Sequence, residues 1–105
     1  MRTLRFYKVF PGGNPTILVL DPVDPLERSA VAQAFMAGGH LQAEQVGFLD
    51  LGAHPVRLDM MGGEFCGNAC RSAAAVMATE GAGLFREGAG WAGELSASGA
   101  RRPLR

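Results

Sequence analysis

The sequence predicts an α/β fold of the α+β kind, in which a mostly antiparallel sheet curls around a central buried helix. Short β-branched and aromatic segments bounded by Gly, Pro and Asn supply the strands. A helix is predicted over 67–79, because this stretch is rich in alanine and Gly81 follows it as a stop. Beyond its first turns this helix is apolar on every side, so we expect protein to surround it.

The chain has 105 residues, which suits one domain with one hydrophobic core. Ten Lys+Arg balance ten Asp+Glu without a basic cluster, which argues against a nucleic-acid partner. No apolar run reaches the ~18 residues that span a bilayer, and residues 1–10 do not form a signal peptide. We therefore expect a cytoplasmic protein with no membrane partner.

The first elements along the chain are two strands and a helix. Strands over 4–10 and 16–20, separated by turn-forming Pro, Gly and Asn, predict a hairpin. The second of these is continuously apolar after Thr16 and should be buried on both faces. Asp24 and Pro25 are a good N-cap and first helical residue, which predicts a helix over 26–36.

The later elements are less regular. Strands are predicted over 46–51 and 56–60, with a turn between them. After the alanine-rich helix, the Gly- and Ala-rich segment 82–91 predicts a loop or a short irregular helix. A further strand is expected to begin within 94–97, and the basic segment 101–105 looks like a turn that leads into another element.

One cysteine, Cys66, stands where the alanine-rich helix begins. The free backbone N–H groups and positive dipole end of a helix start stabilise a thiolate and can hold a carboxylate. Gly67 removes the side chain that would block such an approach. A thiolate beside a carboxylate-binding helix start suits proton abstraction from the α-carbon of an amino acid. Free cysteines are also often buried and inert, and spacing alone leaves both interpretations open.

Four segments around this cysteine resemble the diaminopimelate epimerases. CGNACR at 66–71 resembles the family's CGNGxR motif, and KVFPGGN at 8–14 resembles its KMHGxGN opening. Glu-Gln at 44–45 stands where the family has Asp-Gln, and LDMMGGE at 58–64 can be aligned with its FNADGSE. Four landmarks in the same order are much more specific than one.

The resemblance implies a cofactor-independent amino-acid racemase or epimerase. Cys66 would be one of two catalytic thiols, which exchange a proton with the two faces of Cα. Gly67 and Asn68 would hold the substrate carboxylate, and Asn14 and Gln45 would position the substrate. We expect no cofactor, pyridoxal phosphate included, because no lysine lies near the motif and the thiol pair makes that cofactor unnecessary.

Departures from the pattern favour related amino-acid racemases, histidine racemases among them, over diaminopimelate epimerases. Asp59 stands where the family has Asn, Ala69 replaces the second motif glycine, and the link from Glu64 to Cys66 is shorter. These positions belong to the region that reads the far end of the substrate, so Asp59 and Glu64 are candidate specificity residues. A diaminopimelate epimerase of lysine and peptidoglycan biosynthesis and a non-catalytic amino-acid-binding lobe are the alternatives.

The resemblance covers nearly the whole chain but only half of the family's protein. That protein has two similar lobes, each of which contributes one cysteine. We therefore expect residues 1–105 to form a single lobe equivalent to the N-terminal half. The second lobe would be a C-terminal half of the same protein, a separate chain or a homodimer mate.

The second cysteine of the chain, Cys70, does not suit the role of the second thiol. Four residues beyond Cys66, it would lie about 6 Å along the same helix and on the same side of a substrate. Inversion at carbon needs acid and base on opposite sides, so Cys70 is predicted to be a small core residue. A zinc site is disfavoured, since His40 and His54 lack the short spacing of a zinc module.

Overall fold

The computed structural model describes residues 4–10, 12, 15–37 and 43–104. Asn14 and His40 lie outside the described residues. The elements, in chain order, are β1 (Phe6–Val9), β2 (Thr16–Val19), a short 3-10 turn (Pro25–Glu27), α1 (Arg28–Met36), β3 (Gln45–Asp50), β4 (Val56–Met60), α2 (Gly67–Glu80), β5 (Leu84–Glu87), β6 (Gly90–Gly93) and β7 (Leu95–Ala97).

Five strands form one sheet in the order β1-β2-β3-β4-β7, and β5 and β6 form a separate hairpin. The sheet and the hairpin together contain five strand pairs, and three of them are antiparallel, namely β1–β2, β3–β4 and β5–β6. The parallel pairs β2–β3 and β4–β7 are joined through α1 and α2, as parallel pairing requires a long crossover. The predicted mixture of α and β elements with more antiparallel than parallel pairing is confirmed.

The two helices cover opposite faces of the sheet. The connection from β2 through α1 to β3 and the connection from β4 through α2 to β7 both move towards the β7 edge of the sheet. The strands β4 and β2 run in opposite directions. Right-handed connections therefore place α1 and α2 on opposite faces. On the α1 face, Ile17 and Phe48 pack with Ala32. On the α2 face, Leu18 and Leu58 pack with residues of α2. The predicted burial of the second strand on both faces is confirmed, because every residue of β2 is buried.

The helix α2 buries one face only, so the prediction of a central buried helix is wrong for this chain. Its buried residues are Ala69, Ser72, Ala73, Val76 and Met77. The opposite face, with Ala74, Ala75 and Ala78, is exposed, because the sheet lies against one side of the helix instead of curling around it. Alanine gives no signal of burial, since it is small and favours helices on any face.

The segment after α2 differs from the predicted loop. It forms the antiparallel hairpin β5–β6, in which Leu84 lies opposite Gly93 and the backbone turns at Gly88 with φ +59°. Glycine and alanine within the segment hid the alternation that predicts a strand. The predicted further strand is β7, and beyond it the chain turns back so that Leu95 and Leu104 exchange backbone hydrogen bonds.

The other predicted elements agree with the structure to within a few residues. The Asp24 carboxylate caps the 3-10 turn that precedes α1 by accepting from the Leu26 N–H at 2.9 Å. The described helices are too short or too polar to cross a membrane.

Candidate active site

Cys66 is the N-cap residue of α2, as the sequence predicts. Its backbone is extended at φ −137° and ψ 111°, and its carbonyl accepts the N–H of Cys70 at 3.0 Å as the first bond of the helix. The Cys66 side chain does not cap the first turn. A Cβ added to Gly67 would meet no atom within 4 Å, so the approach to the first-turn N–H groups is open. This arrangement can receive an anion at the helix start beside the thiol.

The thiol of Cys66 contacts one of the predicted site residues, Gln45. Its S–H donates to Gln45 Oε1 at 3.3 Å, and Gln45 Nε2 in turn donates to the hydroxyl oxygen of Thr16 at 2.8 Å. Thr16 and Gln45 are opposite residues at the first positions of β2 and β3. Sequence reasoning did not include Thr16, because its place beside Gln45 follows from the strand register.

A second set of contacts, made by Ser98, holds the loop that carries Cys66. The Ser98 hydroxyl donates to the carbonyl oxygen of Glu64 at 2.6 Å and accepts the N–H of Met60 at 3.0 Å. Glu64 Oε1 accepts the N–H of Gly62 at 3.2 Å, so the side chain of this predicted specificity residue closes its own turn. Ser98 was missed in the sequence, since no local pattern marks a residue thirty-four positions from its partner.

Asn68 lies at the open helix start with a cationic neighbour. Arg71 Nη2 donates to Asn68 Oδ1, and the Ser72 hydroxyl donates to the Asn68 carbonyl at 3.0 Å. An open depression of about 590 Å³ is lined by Phe65, Cys66, Gly67, Asn68 and Arg71. The guanidinium adds positive charge to the helix dipole, which favours an anionic group in this depression.

Asp59 lies on the other face of the sheet, so the structure does not bring this predicted specificity residue to Cys66. Its carboxylate accepts from Arg57 at 2.7 Å and pairs with Arg28 of α1 at 3.5 Å. The hydrogen bond that Arg57 donates to the Asp59 carboxylate raises the pKa of the Arg57 guanidinium. Side chains alternate along β4, and its neighbours Leu58 and Met60 face α2, so Asp59 must face α1.

Cys70 packs against the α2-side core, in line with the prediction that it is a core residue. Burial, and to a lesser extent the neighbouring charge of Cys66, raises the pKa of the Cys70 thiol. The raised pKa favours the protonated form of this thiol at neutral pH. The part of the chain that the structure describes contains no cluster of three or more His, Cys, Asp or Glu able to hold a metal ion.

A comparison of the chain with known protein families identifies its family. The family model described as the histidine racemase CntK N-terminal domain matches residues 3–105. The chain belongs to the histidine racemase N-terminal domain family. The resemblance inferred from the four sequence landmarks, and its preference for the histidine racemase branch, are thus confirmed.

Two relatives illustrate the similarity within the histidine racemase family. A histidine racemase from Fusobacterium nucleatum subsp. nucleatum (strain ATCC 23726 / VPI 4351) is 42% identical over 80 residues, which are 74% of this chain. One from Staphylococcus aureus (strain Mu50 / ATCC 700699) is 40% identical over 75 residues, or 68% of this chain. In both comparisons the match covers 28% of the relative's length. The chain therefore corresponds to a minor part of each of these proteins.

Proposed function

We propose that this chain is the N-terminal lobe of a cofactor-independent amino-acid racemase of the diaminopimelate epimerase-like fold, with histidine as the substrate. The observation that carries the proposal is Cys66 at the open start of α2, beside Gly67, whose missing side chain leaves the backbone N–H groups accessible. Membership of the histidine racemase N-terminal domain family supports the substrate.

The substrate carboxylate would lie at the first turn of α2. There the N–H groups of Gly67 and Asn68 and the charge of Arg71 favour an anion. A substrate held this way places its Cα near the sulfur of Cys66. As the thiolate takes the Cα proton, the C–H bond breaks, an S–H bond forms, and the electron pair moves into the carboxylate. The helix start then stabilises the second negative charge on that group.

Inversion requires a second thiol that gives a proton to the opposite face of Cα. Cys70 does not suit this step, since it is on the same helix as Cys66 and is partly buried against the α2-side core, which raises the pKa of its thiol. A second lobe would supply the thiol. The exposed alanine face of α2 and Trp91, which is 65% exposed, offer apolar surface for that lobe to cover. Two free cysteines suit a reducing cytoplasm, which we propose as the compartment.

Deuterium uptake at Cα tests the proposal. The native assembly that contains this chain is incubated with L-histidine in D2O, and loss of the Cα proton is followed by NMR while chiral chromatography reports the D enantiomer. We expect uptake in both enantiomers for the unchanged assembly and activity retained in the matched control Cys70→Ala. Cys66→Ala should lose racemisation, with deuterium uptake confined to the enantiomer whose Cα proton faces the second thiol.

Three outcomes would count against the proposal. Equal racemisation by Cys66→Ala and the unchanged protein would show that Cys66 is not one of the two acid/base groups. Histidine binding without exchange would favour a non-catalytic amino-acid-binding lobe. Exchange of diaminopimelate in place of histidine would favour the epimerase alternative.

A further inference from the structure

The thiol of Cys66 contacts a carboxamide that is itself held by a buried hydroxyl. Gln45 Oε1 accepts the S–H of Cys66 at 3.3 Å, while Gln45 Nε2 donates to Thr16 Oγ1 at 2.8 Å. Thr16 is fully buried, and Gln45 is half-buried beside it in the sheet. The thiol is thus supported from the sheet side, while the depression at the start of α2 leaves it accessible from solvent.

Each of the two supporting groups can exchange its donor and acceptor roles. A carboxamide carries an acceptor oxygen and a donor NH2 group, and a hydroxyl both donates and accepts. While Cys66 is protonated, Gln45 presents its oxygen to the sulfur and its NH2 group to Thr16. If Cys66 ionises, a half-turn of the carboxamide places the NH2 group against the sulfur, and the oxygen can accept the Thr16 hydroxyl proton. Both contacts are then kept in either protonation state.

We propose that Thr16 and Gln45 are a positioning pair that reorients with the protonation state of Cys66. The pair lets one thiol act as base towards one enantiomer and as acid towards the other, with a hydrogen-bonded sulfur in both steps. This inference rests on the acid/base role proposed for Cys66. It adds Thr16, which touches neither the sulfur nor the substrate and acts through Gln45.

The test uses the Cys70→Ser background, in which Cys66 is the one remaining cysteine of the chain. In the native assembly, the alkylation of Cys66 by iodoacetamide is measured against pH on the peptide that contains Cys66, so that the thiol proposed for the second lobe is not counted. The Gln45 side-chain NH2 resonances are followed by ¹⁵N NMR over the same range. We expect both titrations to share one midpoint. Gln45→Glu should lower the alkylation rate near neutral pH about tenfold, because a carboxylate accepts from the thiol and repels the thiolate.

Two substitutions at Thr16 separate its hydroxyl from its volume. Thr16→Ser keeps the hydroxyl and should preserve the Gln45 titration, whereas Thr16→Val keeps the shape and should reduce its amplitude at least about twofold, since the carboxamide loses its second partner. Gln45 resonances that stay flat through the Cys66 midpoint would overturn the proposal. So would equal behaviour of the serine and valine variants.

The two proposals fail in different ways. If Cys66→Ala abolishes racemisation while the Gln45 resonances do not follow the Cys66 titration, the positioning pair is wrong and the racemase proposal stands. If the Gln45 resonances follow Cys66 and Cys66→Ala racemises histidine as fast as the unchanged protein, the acid/base role of Cys66 is wrong. In that case Thr16 and Gln45 contact a thiol that takes no part in catalysis, which refutes their proposed role as a positioning pair.

Discussion

Replacing Ser98 by alanine is expected to destabilise the fold and to release the loop that carries Cys66. The Ser98 hydroxyl joins β7 to two points of the preceding structure, the N–H of Met60 and the carbonyl oxygen of Glu64. Ser98 is 6% exposed and Met60 is 3% exposed. Water therefore cannot replace the lost hydroxyl at Met60 without opening the core, whereas Glu64 lies in an exposed turn and can be rehydrated.

The expected loss follows from these burials. A buried N–H left without an acceptor costs about 1–3 kcal/mol, and the rehydrated carbonyl of Glu64 adds little. We therefore expect Ser98→Ala to lower the free energy of unfolding by about 2 kcal/mol. For a domain of this size, such a loss lowers the melting temperature by about 9 °C and the urea midpoint by about 1–2 M.

Urea denaturation followed by circular dichroism measures this loss, with Ser96→Ala as the matched control. Ser96 is two residues earlier, within β7, and its hydroxyl accepts from the side chain of Arg57 on the opposite face of the sheet. Its loss should cost no more than about 0.5 kcal/mol. Equal midpoints for the two variants would refute the assignment of Ser98 as the anchor of the Cys66 loop.

Three further predictions concern other parts of the chain. Gly83→Ala should lower the free energy of unfolding by about 2–3 kcal/mol, since φ is +70° and the new Cβ would lie 2.6 Å from Val56 Cγ2. The control Gly88→Ala has open space around the new Cβ and should lower the free energy of unfolding by about 1 kcal/mol. Thermal melting measures both losses. Folding stability should fall as pH rises above about 8.5, because the unfolded Cys70 thiol ionises before the folded one, whose pKa is raised. Cys70→Ala should flatten that slope in urea titrations across pH, and an unchanged slope would contradict the assignment. Asp59→Asn should change the affinity for histidine, measured by calorimetry, by no more than about twofold. The substitution removes only ion pairs on the face of the sheet opposite Cys66. A larger loss of affinity would show that Asp59 does contribute to substrate binding.

Local sequence patterns predicted the elements that carry the candidate site. The cysteine at the start of α2 and the apolar strand β2 were identified because capping, alanine content and runs of apolar residues act over a few neighbouring positions. The strand predicted over 46–51 was located by the same kind of signal and begins one residue earlier, at Gln45. The site role of Gln45 itself was inferred from the family resemblance. Such patterns locate helices and strands along the chain. They predict which residues meet at the site only where one helix or strand carries several of the site residues.

The features that sequence reasoning missed depend on register or on distant contacts. Thr16 lies beside Gln45 through parallel pairing across a helical crossover, and Ser98 reaches the Cys66 loop from the turn that follows β7. The face that Asp59 takes depends on which helix covers each side of the sheet. Alanine-rich α2 was predicted to be buried all round because composition does not distinguish an alanine in a core from one on an exposed face.

The strand topology explains why the candidate site forms at one edge of the sheet. Parallel pairing brings the first residues of β2 and β3, Thr16 and Gln45, to the same edge. Because β4 is antiparallel to β3, it ends at that edge, and the short loop after Met60 starts α2 there with Cys66 as its N-cap. The Cys66 thiol and the two side chains that support it therefore lie at one edge of the sheet. Under the mechanism that we propose, this edge would exchange a proton on one face of Cα, and a second lobe would have to serve the other face.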